Sequence, residues 1–591
     1  MSTLYNTANE SRNFSKFRDF EGFSLLKFTD TNDVSLIPPD GFCNSYNSMG
    51  TGGIPLTSMI DEGIKRVRVD HTDNHSLVIG PTGTKKSRLI AMPTVRILCV
   101  AKESMVISDP KAEIYYRTGK FLHDNGYDVF VVNLREPNLG SGWNPLSIPY
   151  QFYKTGDIDR ACEFANDISE NLARINTKSN STADPFWDNT AGSLFFGLTM
   201  LLFKYCIDHN QPDSSVKIGN IMRLKNTIFE CENPALRRAN SPLWKYAKSD
   251  YIIASALGGT IVSPNDTFGS IMSVFNEKMT IFQIRPSLLN MLSSSSEIFE
   301  EIDHKPTAVF LILPDEKTAY HGLASLLIKQ SYEYIIFKAQ KRAGDIMGAG
   351  TDVRLNYILD EFSSLPTIND FPAMITAARS RNIRFNIFIQ SKHQLELKYG
   401  KDSETIQANC GNWIFLSSRE LNLLEELSRL CGNEKKDKPS IPLVSVSDLQ
   451  RLDKNHGEAL VLSGRLRPHI SRLLDINVYD KMNNKSDSII AHSPSEQSIK
   501  KDWMQIDFPL EKEFCSRSGS PIEEMPVQRS QPNTALFDID NLVMRIDQKI
   551  VELEQEEQRQ KESAYDTQKP NKNQSPTGLK KEPNMKEGDQ Q

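Results

Sequence analysis

His75-Ser-Leu-Val-Ile-Gly-Pro-Thr-Gly-Thr-Lys-Lys-Ser87 runs from a hydrophobic strand into a Gly-rich turn that ends on Lys86 and Ser87. Leu355-Asn-Tyr-Ile-Leu-Asp-Glu-Phe362 is a second hydrophobic strand, and it ends on paired acids. Together these residue types can handle a magnesium–triphosphate. Backbone N–H groups hold phosphate oxygens and a lysine supplies charge. A hydroxyl and an aspartate hold the metal, and a glutamate orients water.

The phosphate loop has the pattern G-x-x-x-x-G-K-[ST]. Gly80, Lys86 and Ser87 match it, with Pro81, Thr82, Gly83 and Thr84 between, but Lys85 stands where the second glycine belongs. That glycine allows close approach of backbone to phosphate and torsions other residues resist. A side chain there costs roughly 1–3 kcal/mol of strain. Lys85 either adds positive charge near the phosphates or plugs the site. A strand before the loop and a helix after it favour anion binding, because a helix start offers unpaired N–H groups.

Asp360 is the candidate magnesium ligand together with Ser87, and Glu361 the candidate for orienting water. Gln390, after the strand Ile387-Phe-Ile389, could sense the terminal phosphate. Arg379, Arg381 and Arg384 are candidates for stabilising charge on a transferring phosphate, one of them from a neighbouring subunit. Asp109-Pro-Lys-Ala-Glu113 follows another apolar strand and would face the ligand crevice of an open sheet. For each of these the plain alternative is a solvated strand end or surface charge.

The elements that must position these residues alternate. Strands are expected at Ser76–Ile79, Met105–Ser108 and Asp128–Leu134, with a helix from Ser87 to about Ala101 that Pro93 should bend. Apolar residues at three- and four-residue spacing predict helices over Ile158–Ile175, Thr190–Ile207, Val216–Leu224 and Ser270–Phe282. Strands resume at Thr307–Leu313, Leu355–Leu359, Phe385–Ile389, Trp413–Leu416 and Glu458–Leu462. The expected organisation is α/β. An N-terminal region of short strands (1–70) precedes a nucleotide-binding domain in two parts (71–151 and 291–480), split by an all-alpha domain (152–290). A C-terminal extension (481–591) carries an amphipathic helix at 534–562, with Leu536, Ile539, Val543, Ile546, Ile550 and Leu553 on one seam, and ends in a disordered polar tail.

Composition narrows the class. A net charge of -6 over 591 residues argues against a generic nucleic-acid binder. DNA contact would have to come from a local basic surface or a ring of subunits around a pore. Eight scattered cysteines without C-x-x-C give neither a zinc site nor a disulfide framework. The apolar run Ser193–Phe203 is too short for a membrane span and reads as a buried helix. No signal peptide is evident. The expected location is cytoplasmic.

These segments, in this order, resemble the VirD4/TraG-type coupling proteins of conjugation and type IV secretion. The resemblance lies in Val78–Ser87, Ile107–Glu113, Trp143-Asn-Pro-Leu146 and Asp184-Pro-Phe-Trp-Asp188. It continues in Ile358-Leu-Asp-Glu-Phe-Ser-Ser-Leu-Pro366, Ile389–Leu395 with Tyr399-Gly400, and Asn409-Cys-Gly411. It spans roughly 70–475 and is most specific at the acid strand and the downstream Gln390-Ser-Lys-His-Gln394-Leu395. It implies a RecA-like P-loop NTPase domain with an inserted all-alpha domain, ATP and Mg2+ as cofactors, and a homo-hexamer around a channel. It further implies delivery of DNA with its relaxase, or of protein substrates, to a type IV secretion channel. By the same resemblance Arg379 is the inter-subunit finger and Gln390 the phosphate sensor.

Lys85 departs from the family pattern, as does Ala112, a minor change from glycine. The membrane helices the family usually carries at its N-terminus are not seen. Two further readings stay open: a non-hydrolysing docking platform with a degenerate phosphate loop, and a DNA translocase unrelated to secretion.

Overall fold

The computed structural model describes two strands, β1 (Phe23–Phe28) and β2 (Leu36–Ile37), and then residues 52–480. Within 52–480, positions 62–63, 175–184, 230–240, 295–297, 315, 317, 434–441 and 465–467 are not described. The expected helix at 534–562 and the polar tail lie outside the described residues.

β3 (Ile54–Asp61) and β4 (Ile64–Asp70) join the first two strands in an antiparallel sheet of order β2-β1-β4-β3. The main sheet has nine strands: β5 (Ser76–Ile79), β6 (Ser104–Asp109), β7 (Asp128–Asn133), β8 (Thr307–Ile312), β9 (Leu355–Leu359), β10 (Ile383–Ile389), β11 (Asn412–Phe415), β12 (Glu458–Ser463) and β13 (His469–Arg472). Their order is β13-β12-β11-β5-β10-β9-β6-β8-β7, parallel from β11 to β7 and antiparallel at the β12 and β13 edge.

The loop strand β5 and the acid strand β9 are not neighbours. β10 lies between them, pairing Ile389 with Ile79 and Ile387 with Leu359. The tip of β10, with Gln390, therefore stands between the loop and the acids.

The inner strands β5, β6, β8, β9 and β10 are buried along their whole length on both faces, as parallel strands of such sheets are. Side chains alternate between two cores. Leu77 and Ile79 pack in one with Tyr357 and Leu359, while Val78 packs in the other with Ile358 and Ile107. The second core is closed by α1 (Met92–Ala101) and α2 (Glu113–Asp124). The helix expected from Ser87 is not continuous: Ser87–Ala91 is wound as a π turn before α1 begins, with Pro93 in the first turn of α1. Proline lacks the N–H that would continue the ladder, so the wider winding absorbs the missing donor.

The helices on the other face are mostly inserted between β7 and β8. They are α3 (Ser147–Lys154), α4 (Ile158–Ala173), α5 (Pro185–Asp208), α6 (Ile218–Phe229), α7 (Pro242–Ala247), α8 (Tyr251–Val262), α9 (Asn265–Gln283) and α10 (Pro286–Met291). α5 is longer than its apolar run suggested. By length and composition it could cross a membrane, but its apolar window is 72% buried inside the fold. α11 (His321–Arg342) follows β8, α12 (Phe371–Ala378) follows β9, and α13 (Lys392–Tyr399) and α14 (Asp402–Asn409) follow β10.

Candidate nucleotide site

β5 ends in a turn shaped by its own small residues. The Gly80 N–H donates to Ile389 O at 3.1 Å, which ties the loop's start to β10. A Cβ on Gly80 would meet Thr84 Oγ1 at 2.7 Å and Leu416 Cβ at 3.3 Å, so only glycine fits without rearrangement. Gly83 turns with φ +85°. Thr84 closes the loop, its Oγ1 donating to Pro81 O at 2.8 Å. The N–H groups of Gly83, Lys85, Lys86 and Ser87 have no acceptor among the described residues, ahead of a helix start.

Lys85 takes φ +66°, the left-handed torsion its missing glycine would supply. Its Nζ reaches Asn455 Oδ1 at 3.5 Å, toward the turn before β12, rather than Asp360 or Glu361. The plugging arrangement is not the one adopted. Ala112 also sits at φ +59°. Its exchange for glycine, read as minor, falls on a left-handed residue, and both departures carry strain of about 1 kcal/mol or more.

Lys86 is buried and folds back on the loop. Its Nζ donates to Gly80 O and to Pro81 O, the latter at 3.3 Å. Burial pulls its pKa below the ordinary value, while Asp360 and then Glu361 pull it up. Ser87 Oγ donates to Asp360 Oδ2 at 2.9 Å, across the intervening strand tip. Asp360 is buried, and burial raises its carboxyl above the usual range against the Ser87 hydrogen bond and the charge of Lys86. Ser108 Oγ donates to Asp360 O at 2.9 Å, which fixes the acid strand to β6.

Glu361 turns the chain with φ +49°, and its N–H donates to Asp360 Oδ1 at 3.0 Å. Its carboxylate faces Lys111 Nζ at 4.0 Å. Asp109 lies one strand further on. Tyr115 N–H donates to its Oδ2 at 2.8 Å, yet burial, with the charge of Asp360 adding, pushes its pKa to about 7. The stretch from Asp109 to Glu113 thus supplies a lysine near Glu361 and a buried acid that holds the start of α2.

Gln390 follows β10 at the same edge as Gly80 and Asp360. The three arginines are at the other end of that strand. Seven residues at about 3.3 Å each separate the two edges by roughly 20 Å. Arg379 is exposed and Arg381 partly so. Arg384 is not available to any phosphate. It is buried and paired with Glu103, donates to Asn356 Oδ1 at 2.9 Å, and donates to the carbonyls of Gly52, Asp70 and Thr72 at 3.0–3.3 Å. Arg384 is therefore not a finger. Sequence periodicity could have shown this, since an arginine inside the buried strand Ile383–Ile389 needs internal partners.

The Ser87–Asp360 pair, Lys86 and the loop from Gly80 lie at the same edge of the sheet and are residue types that could hold a magnesium–nucleotide. The fold is that of a RecA-like P-loop NTPase, with one strand between loop and acids. Residues 43–452 match the family whose model is described as Type IV secretory system Conjugative DNA transfer. That is more than half of the chain, and the chain belongs to this family, which makes it a coupling protein of type IV conjugative DNA transfer.

Among solved structures, it is similar to the conjugative coupling protein TrwBdeltaN70 in complex with sulphate. The two share 16% identity over 68% of this chain and 86% of that one, with a TM-score of 0.48. TrwB with the ATP analogue ADPNP matches at 15% identity over 68% and 86%, with a TM-score of 0.47. VirB4 of Thermoanaerobacter pseudethanolicus matches at 13% over 78% and 98%, with a TM-score of 0.40. At these values the likenesses add nothing to the family assignment. No curated protein matches the chain in sequence.

Proposed function

We propose that this coupling protein is an ATP-driven motor that recruits DNA–relaxase complexes or protein substrates and drives them into a type IV secretion channel. Ser87 and Asp360 hold Mg2+, and the loop from Gly80 to Ser87 holds the phosphates, with Lys86 turning from its carbonyl contacts to the nucleotide. The bound metal and triphosphate supply a polarised phosphoryl group. Glu361 orients water, and Gln390 contacts the terminal phosphate. Arg379, about 20 Å from its own loop, acts on the site of a neighbouring copy in a homo-hexamer. Membrane contact at the inner face comes through a partner subunit.

The observation that carries this reading is the Ser87 Oγ–Asp360 Oδ2 contact at 2.9 Å between residues 273 apart in sequence. It brings together the two groups that a magnesium–triphosphate requires. The orientation of Lys85 toward Asn455 supports a usable loop.

A docking platform without hydrolysis is the second reading. It is favoured by the seating of Lys86 on the Gly80 and Pro81 carbonyls, which the nucleotide would have to displace. Family membership favours both over a translocase unrelated to secretion. ATP turnover with and without DNA, at ring-forming protein concentration, separates the two. DNA-stimulated turnover that Glu361→Gln abolishes supports the motor; nucleotide binding without turnover supports the platform.

A further inference from the structure

The chain from Glu361 to Asp370 joins the acid pair to α12. Both ends are left-handed, Glu361 at φ +49° and Asp370 at φ +62°. Between them the segment is tied along much of its length. Toward α13, Ser363 Oγ donates to Gln394 Oε1 at 2.9 Å, Lys398 Nζ donates to Leu365 O, and Ile368 N–H donates to Tyr399 Oη at 3.1 Å. The Phe362 ring stacks on Tyr399 at 5.8 Å. α13 starts just after Gln390, so these bonds link the acids to the strand tip beside them. Toward α11, Ser325 Oγ donates to Pro366 O at 3.1 Å.

The far end reaches the helical insertion. Arg174 Nη1 donates to Asn369 Oδ1, and Asn369 Nδ2 donates to Glu170 Oε2 at 3.3 Å. The buried ammonium of Lys329 donates to Asp370 Oδ2 at 3.0 Å and to Asp167 Oδ1 at 2.9 Å. Asp167, Glu170 and Arg174 follow i, i+3, i+7 spacing, which is one face of α4 and its C-terminal cap.

We propose that the segment Phe362–Asp370 is a strap that transmits the nucleotide state from Glu361 to α4, with Asn369 and Lys329 as positioning residues at its far end. The strap is short and held on three sides, so a turn at Glu361 cannot be absorbed inside it. Left-handed residues at both ends supply strained joints where torsion changes would concentrate. Because α12 leads from the strap to Arg379, the same movement shifts the finger. This inference rests on the nucleotide reading above.

Hydrogen exchange of the full chain, with and without magnesium and a non-hydrolysable ATP analogue, tests it. In the native protein the analogue should slow exchange in 80–87 and also in 158–174, by roughly twofold or more at each. In Asn369→Ala the response at 80–87 should remain and that at 158–174 should be lost, with exchange before nucleotide addition unchanged. Lys329→Met should act in the same direction. A response at 80–87 with none at 158–174 in the native protein overturns the strap alone, as does a response at 158–174 that survives Asn369→Ala. No response at 80–87 overturns the nucleotide reading and the strap with it.

Discussion

The two edges of the main sheet treat buried charge in opposite ways. At the amino ends of β10 and β9, Arg384 is surrounded by Glu103, Asn356 and three carbonyls, Arg354 pairs with Asp73 at 2.8 Å, and Asn412 donates to Asp70. His75 accepts from Phe385 N–H at 3.0 Å on Nδ1 and meets Ile375 O at 2.8 Å on Nε2. At the carboxyl ends, Lys86 rests on its own loop's carbonyls, loop N–H groups lack acceptors, and Asp109 and Asp360 are buried with raised pKa values. The first edge pairs its charges within the protein, although Glu103 Oε1 has no hydrogen-bond partner. The second keeps charges and donors that a ligand would complete. Charge at a strand end is thus paired within the protein on one side and belongs to the proposed ligand site on the other.

The arginines break this contrast most sharply. Arg384→Met should cost about 3–5 kcal/mol of stability, because it leaves Glu103 buried and unpaired. Chemical denaturation measures it. Arg379→Ala, at an exposed turn, should change stability by less than about 0.5 kcal/mol. It should instead lower turnover by roughly 1,000-fold if it acts as a finger in trans. Equal stability losses for the two would erase the distinction.

A smaller effect comes from His75. Burial holds its pKa down at about 4, against about 6.5 when unfolded. Below 6.5 the unfolded chain binds a proton that the folded one refuses, so stability falls as the pH drops from 6.5 toward 4 and is constant above. The shift corresponds to about 3 kcal/mol. His75→Gln should lower stability at neutral pH but remove this part of the acid dependence, as unfolding curves between pH 4 and 7.5 would show. An unchanged dependence would mean another group carries it.

The smallest effects test the strained glycine replacements. Lys85→Gly and Ala112→Gly should each stabilise the fold by about 1 kcal/mol or less, as left-handed torsion is relieved but the unfolded chain gains freedom. Lys85→Gly should also raise nucleotide affinity. A destabilising result would show that the Asn455 contact outweighs the strain.

Much of this was legible in the sequence. Apolar runs bounded by turn residues marked the inner strands of the main sheet, and Leu355–Leu359 matches its expected bounds. The pairing of the loop with the acids was legible because phosphate and magnesium demand those residue types. What escaped depends on spatial order. Nothing in the chain says that β10 inserts between β5 and β9, because strand order is fixed by long-range packing. The edge strand His469–Arg472 is too short and polar to stand out. α8 escaped because its β-branched residues and Gly258-Gly259 weaken the helical pattern. Arg384 looked like its two neighbours until burial separated it from them.

The claim on which the rest depends is that the loop at Lys86 and the acids at 360–361 form one magnesium–nucleotide site. Equilibrium binding of a fluorescent ATP analogue, titrated with and without Mg2+, tests it most directly. Native protein should bind more tightly with the metal. Lys86→Ala should lose binding by tenfold or more, about 1.4 kcal/mol. Asp360→Asn should keep metal-free binding and lose the gain from magnesium. Binding indifferent to both substitutions would contradict the account.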